Sequence, residues 1–163
     1  MLYKKSEQKR EIDTAKELHF TLKDIHISDF DRMNLRGRIE TSPDYQRDSV
    51  YSVEKSSRLV ESALMRIPLP TIYLCEETNG KLSIIDGLQR IKAFLSFIRN
   101  EYSLKDLTIF QELNGKYYKD LDSKLQDVID ETSIRTIVIN EDSADAKHEI
   151  FERLNITLRE QGL

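Results

Sequence analysis

An α+β domain, with a small mixed sheet covered by several helices, is the fold class this sequence predicts. Two apolar runs, Thr71–Cys75 and the one containing Leu82, Ile84 and Ile85, flank Thr78-Asn79-Gly80, and Asn-Gly is the strongest short hairpin signal. A further run, Ile134-Arg135-Thr136-Ile137-Val138-Ile139, has the β-branched content of a strand. Around these, apolar residues recur at steps of three and four, which is the period of a helix that buries one face.

Taken in chain order, residues 1–18 are polar and mixed in charge and read as an exposed helix or a loose arm. Their basic cluster, Lys4, Lys5, Lys9 and Arg10, reads as a solvated face rather than a nucleic-acid arm. From His19 a strand is expected, with Phe20 and Leu22, then Ile25 and Ile27, spaced by two. Gly37 to Thr41 reads as extended and runs into a Ser-Pro-Asp turn at Ser42 to Asp44. Ser52 is a good N-cap for a helix carrying Leu59, Val60, Ala63 and Leu64, which Pro68 and Pro70 should stop. Gly87 to Arg99 forms a helix with Ile91, Phe94, Leu95 and Ile98 on one side. Asp122 to Glu131 and Ala144 to Leu154 are the last helices, burying Leu125, Val128 and Ile129, and Ile150, Phe151 and Leu154. Residues 19–163 are thus expected to be one domain, and an ending at Glu160-Gln161-Gly162-Leu163, soon after a helix, suggests a fragment or a truncated gene product.

Composition narrows the function. Among 163 residues, Lys+Arg total 25 and Asp+Glu 29, a net charge of −4 that excludes a protein basic throughout. No apolar run approaches the ~20 residues of a membrane helix, and the charged N-terminus lacks a signal-peptide core. A cytoplasmic protein is the expectation. The single cysteine, Cys75, allows no internal disulfide and no cysteine-based zinc site. His19, His26 and His148 have no metal spacing, and neither GxxxxGK[ST] nor GxGxxG is present.

Three local features remain. Asp86-Gly87-Leu88-Gln89-Arg90 stands where a buried strand meets a helix. Asp86 reads as an N-cap and Gln89, three residues on, as its capping-box partner, with Gly87 relaxing the turn. That leaves Arg90 unexplained, because a cation in the first helical turn is disfavoured by the macrodipole. A bound anion reverses the penalty, since backbone N–H groups and a guanidinium would converge on it. Pro43-Asp44-Tyr45-Gln46-Arg47-Asp48 is a polar loop that reads either as an ordinary exposed turn or as Gln46 and Arg47 over the same anion. Phe151-Glu152-Arg153-Leu154-Asn155 closes the last helix, where Asn155 suits a C-cap and Arg153 the negative end of the dipole.

In order and spacing, the runs PDYQR, RIPLPTIYLCE, LSIIDGLQRIKAF and EIFERLN resemble the N-terminal domain family of GmrSD-type restriction endonucleases, marked by a DGQQR motif. The resemblance covers roughly Ile39 to Asn155. It implies a ParB/sulfiredoxin-like fold and a nucleotide-binding, even NTP-hydrolysing, regulatory module of a system that restricts modified phage DNA. It carries the motif onto Asp86, Gly87, Gln89 and Arg90, the upstream pair onto Gln46 and Arg47, and the FERLN element onto Arg153 and Asn155. On this reading Arg47 and Arg90 neutralise phosphate oxygens, Gln89 orients phosphate or water, and Asp86 holds the turn or a hydrated Mg²⁺. Asp86 and Gln89 are then the catalytic candidates, and a nucleoside triphosphate with Mg²⁺ is the implied cofactor.

Three positions depart from the family pattern. Leu88 replaces the first Gln of the motif, Tyr51 stands where Trp is usual, and Ile156-Thr157-Leu158 replaces a glycine pair. These differences bear on hydrolysis more than on binding. The sequence contains no His/Asn-type nuclease domain, so DNA would be reached through a linked or partner nuclease. Two other classes stay open: a ParB-like DNA-binding module using Arg32, Arg36, Arg38 and Arg58, and a degenerate protein-interaction domain. A homodimer is compatible with either.

Overall fold

The structure, a computed structural model, describes residues 19–41, 50–140 and 148–154. Among these the strands are β1 (His19–His26), β2 (Ile39–Glu40), β3 (Ile72–Glu76), β4 (Leu82–Asp86) and β5 (Ser133–Asn140). They form one sheet in the order β1-β5-β3-β4-β2. β1 runs antiparallel to β5, β5 parallel to β3, β3 antiparallel to β4, and β4 parallel to β2, so the sheet is mixed as expected. Helices α1 (Ile27–Leu35), α2 (Val53–Leu64), α3 (Leu88–Ile98) and α4 (Ser123–Asp130) complete the α+β fold, and residues 148–154 are also helical.

The alternation of strand side chains divides the sheet into two buried faces. Ile72, Leu74, Ile84, Ile134 and Val138 join the main core beneath α1–α4, which contribute Phe30, Val60, Leu88, Phe94, Phe97 and Ile129. Cys75, Ile85 and Ile139, with Tyr73 and Ile137, face the other way and are covered by Ile150, Phe151 and Leu154. Burial on both faces explains why β3, β4 and β5 read as nearly continuous apolar runs. No helix among the described residues is long and apolar enough to cross a membrane.

Local signals account for most boundaries. Ser52 Oγ accepts from Lys55 N at 3.1 Å to start α2, and Asp122 Oδ1 accepts from Leu125 N at 2.9 Å to start α4. Gly80, with φ 79°, closes the β3–β4 turn where Asn79 Oδ1 accepts from Lys81 N at 3.0 Å. Helix α2 stops at Leu64, with Arg66 left-handed at φ 58°, ahead of the two prolines. One expectation is corrected: Ile27 does not continue β1 but opens α1, where it and Phe30 are fully buried. The helix has no side-chain cap at His26, and its first N–H donates to Thr132 O at 3.0 Å, a partner far away in sequence. Residues 1–18, the turn at 42–44 and the start of the last predicted helix lie outside the described residues.

A buried carboxylate ties the loop after α3 to α2. Glu61 is 6% exposed, and its Oε2 accepts from Ile109 N and Phe110 N at 3.0 Å each. Thr108 N and Oγ1 approach Oε1 at 3.4 Å, and Ser57 Oγ accepts from Lys105 N at 3.0 Å one turn earlier. Burial works to raise the Glu61 carboxyl, but the donors from Phe110, Ile109 and Thr108 together outweigh it and hold the group below the usual carboxylate range. Its contribution to stability is therefore complete above the carboxylate range of the unfolded chain and is lost as pH falls through the depressed folded value. Glu61→Gln is expected to lower unfolding free energy by about 1–3 kcal/mol at neutral pH. Urea melts followed by circular dichroism should show that gap shrinking on acidification; parallel acid losses in parent and variant would contradict the assignment.

Candidate functional site

The β4–α3 junction is built around a backbone conformation that favours glycine. Asp86 ends β4 opposite Tyr73, and Gly87 follows at φ 103°, in the left-handed region. A Cβ on Gly87 would lie 2.1 Å from Ile72 Cδ1 and 3.2 Å from Arg90 Nη2. The turn thus lies flush against the first residue of β3, and α3 starts directly from the end of the sheet.

This geometry corrects the expected capping box. Gly87, not Asp86, is the N-cap, and the helix has no side-chain cap there. The helix begins one residue later than the capping-box alignment needs, so Arg90 rather than Gln89 occupies its third position. The i, i+4 spacing instead brings Asp86 Oδ2 to within 3.0 Å of Arg90 Nη2. The Arg90 side chain is 14% exposed and that of Asp86 24%. Arg90 Nη1 is buried and has no hydrogen-bond partner among the described residues. The first turn of α3 contains no acidic residue, so its free N–H groups leave the positive end of the helix dipole open beside the Asp86–Arg90 pair.

Beside the turn, between α3 and the start of α2, is a cavity of about 150 Å³. Val50, Tyr51, Val53 and Ser56 line one side, Gln89, Lys92, Ala93 and Ser96 of α3 the other, and Tyr102 completes it. The Tyr102 hydroxyl donates to Ala93 O at 2.7 Å, and burial pushes its ionisation upward, so it remains a neutral donor. The ammonium of Lys55 stands 4.1 Å from the centroid of the Tyr51 ring.

Comparison with protein families matches residues 22–160 to the family described as GmrSD restriction endonuclease, N-terminal domain. The chain belongs to this family. No curated protein and no solved structure matches it. Its family is that of a component of restriction systems.

Within this GmrSD N-terminal domain, the structure gathers Asp86, Gly87, Gln89 and Arg90 at one turn, with Gln89 directed to the cavity and Arg90 to Asp86. Leu88, at the departing motif position, is 3% exposed and part of the main core. Arg153 lies in the helical residues 148–154, across the sheet from α3; its side chain is three-quarters exposed and pairs with Glu149 at 2.6 Å. Gln46, Arg47 and Asn155 lie outside the described residues. Of the proposed basic face, Arg32 pairs with Asp29, while Arg36, Arg38 and Arg58 are exposed. Sequence reading overlooked Lys92 and Ser96, although Gln89, Lys92 and Ser96 form the one polar stripe of α3.

The close approach at Gly87 makes a direct prediction. Gly87→Ala should cost about 2–4 kcal/mol, combining a left-handed alanine with overpacking against Ile72. Ile72→Val deletes the Cδ1 that the new methyl would meet. In the Gly87→Ala background it should therefore recover part of the loss, although alone it destabilises by about 0.5–1.5 kcal/mol. Strictly additive effects in denaturant melts would rule out that contact as the source.

Proposed function

We propose that this domain binds a nucleoside triphosphate with Mg²⁺ at the β4–α3 turn and acts as a nucleotide-responsive module of its restriction system. The observation that carries the proposal is the Arg90 guanidinium, held at the positive end of α3 by Asp86 and left with one buried nitrogen that has no partner among the described residues. A buried donor without an acceptor costs roughly 1–3 kcal/mol, and a phosphate oxygen would supply that acceptor. The N–H groups of the same helical turn would share the charge.

The carboxylate at the same place fits a metal-bridged polyphosphate better than a bare anion. Asp86 commits Oδ2 to Arg90, which leaves Oδ1 for a hydrated Mg²⁺. Among the described residues no group of three or more His, Cys, Asp or Glu could hold a metal, so phosphate and water would have to supply most of its ligands. That is the usual condition of protein-bound Mg²⁺. Binding is proposed rather than turnover, because Asp86 is engaged with Arg90 and the neighbouring motif position is a core leucine.

A thermal-shift series with ATP, GTP, CTP and UTP, with and without Mg²⁺, tests this reading. At a hundredfold excess over Kd the native state gains ~2.7 kcal/mol, which for a chain of this size raises Tm by roughly 5–10 °C. Arg90→Ala should abolish the shift, while Arg90→Lys should retain a fraction of it, because an ammonium replaces the charge without the planar fork. An Arg90→Ala protein that still binds triphosphate as tightly as the parent would sink the proposal.

A further inference from the structure

The two edges of the sheet are built differently. β2 closes one edge with only two residues, whereas β1 forms the other with eight. Exposed edges are usually blunted by shortness, a bulge or a proline. β1 has none of these: it pairs with β5 without a register shift from His19–Asn140 to His26–Ser133, and it contains no proline. Among the described residues nothing pairs with its outer side, so the backbone N–H and C=O groups there are a template for one more strand.

The side chains of β1 are also unusual for an open edge. Phe20 and Leu22 are 63% and 56% exposed. They stand opposite Ile139 and Ile137, on the face covered by Ile150, Phe151 and Leu154, and that cover stops short of them. A strand added beside β1 would bring its own side chains onto this face and bury both residues.

A second copy of β1 matches this edge in one register. Two identical antiparallel strands related by a two-fold axis through the sheet set one residue against its own copy, and its neighbours then pair reciprocally. With the axis at Lys23 or Asp24, like charges face each other, and with the axis at Leu22, Phe20 meets Asp24. With the axis at Thr21, Phe20 of each copy faces Leu22 of the other, His19 faces Lys23, and threonine faces threonine, which is a favourable cross-strand pair. Axes nearer either end of the strand pair fewer residues.

We propose that β1 is a dimerisation edge, where two copies of this chain join antiparallel about Thr21 into one continuous sheet, with Phe20 and Leu22 of both copies as its apolar seam. Sedimentation velocity of the full chain over a concentration series should show reversible monomer–dimer exchange, because so short a pairing lies at the small end of specific interfaces. Leu22→Lys replaces an exposed side chain and removes both Phe20–Leu22 contacts, so it should raise the dimer Kd at least ~10-fold while melts show the fold intact. Thr21→Cys tests the register. Opposed Cα atoms of an antiparallel pair lie about 4.5–5.5 Å apart, within reach of a disulfide, and the one native cysteine, Cys75, is buried. Mild oxidation of Thr21→Cys should therefore give a covalent dimer on a non-reducing gel, whereas Lys23→Cys, whose two copies would stand ~13 Å apart, should not. A chain that stays monomeric throughout the series overturns the proposal and leaves the edge to a different strand. A dimer that Leu22→Lys leaves intact, that Thr21→Cys fails to cross-link, or that Lys23→Cys cross-links as readily, overturns it as well by placing the contact on another surface or in another register.

Discussion

The contact between Gly87 and Ile72 governs how α3 meets the sheet. With only hydrogen at its α-carbon, Gly87 can turn the chain at φ 103° against a side chain that would stand 2.1 Å from any Cβ. The helix therefore leaves β4 without an intervening loop, and its phase relative to the sheet is set at its first residue. From that phase Leu88, Ile91, Phe94, Leu95 and Phe97 all enter the core. The remaining stripe, Gln89, Lys92 and Ser96, is turned toward the start of α2. One glycine thus determines both what α3 buries and what it offers to a ligand.

Phase also explains the behaviour of Asp86 and Arg90. A side-chain cap at Asp86 would have consumed the carboxylate on backbone N–H groups. With the cap at Gly87, those donors stay open, and the carboxylate positions a guanidinium instead. The pair is half-buried and close to charge-neutral, which limits the desolvation cost of keeping an arginine at the positive end of a helix.

The sequence was most legible where a boundary has a local cause. Ser52 and Asp122 cap their helices as their residue types suggest, and Asn79-Gly80 turns the β3–β4 hairpin. It was least legible where the cause is tertiary. Helix α1 has no side-chain cap, and its first N–H is satisfied by Thr132, more than a hundred residues away. The pairing of β1 with β5 and the two-residue contact of β2 with β4 join segments that no local pattern links. The site divides in the same way. The Asp86–Arg90 segment could be singled out by its unusual arginine, and the i, i+4 spacing could have indicated the ion pair. The cavity could not be read, because Tyr51, Gln89 and Tyr102 come together only once α2 and α3 have packed.

Two buried charges show why Arg90 is the functional candidate and Glu61 is not. Both sit on helices of the main core, and each faces the cost of leaving water. Glu61 meets that cost internally, with Ile109, Phe110 and Thr108 donating to both of its oxygens. Nothing is left for a ligand, and the result is a fastening between α2 and the loop beyond α3. Among the described residues Arg90 is only partly satisfied: Nη2 reaches Asp86 while Nη1 is buried without a partner. Native structures rarely leave a charged donor in that state, and where they do the missing partner is commonly water, an ion or a ligand. A proposed phosphate accounts for the orphaned nitrogen, for the cation in the first turn, and for the absence of a capping side chain. A purely structural arginine would account for the Asp86 pair alone.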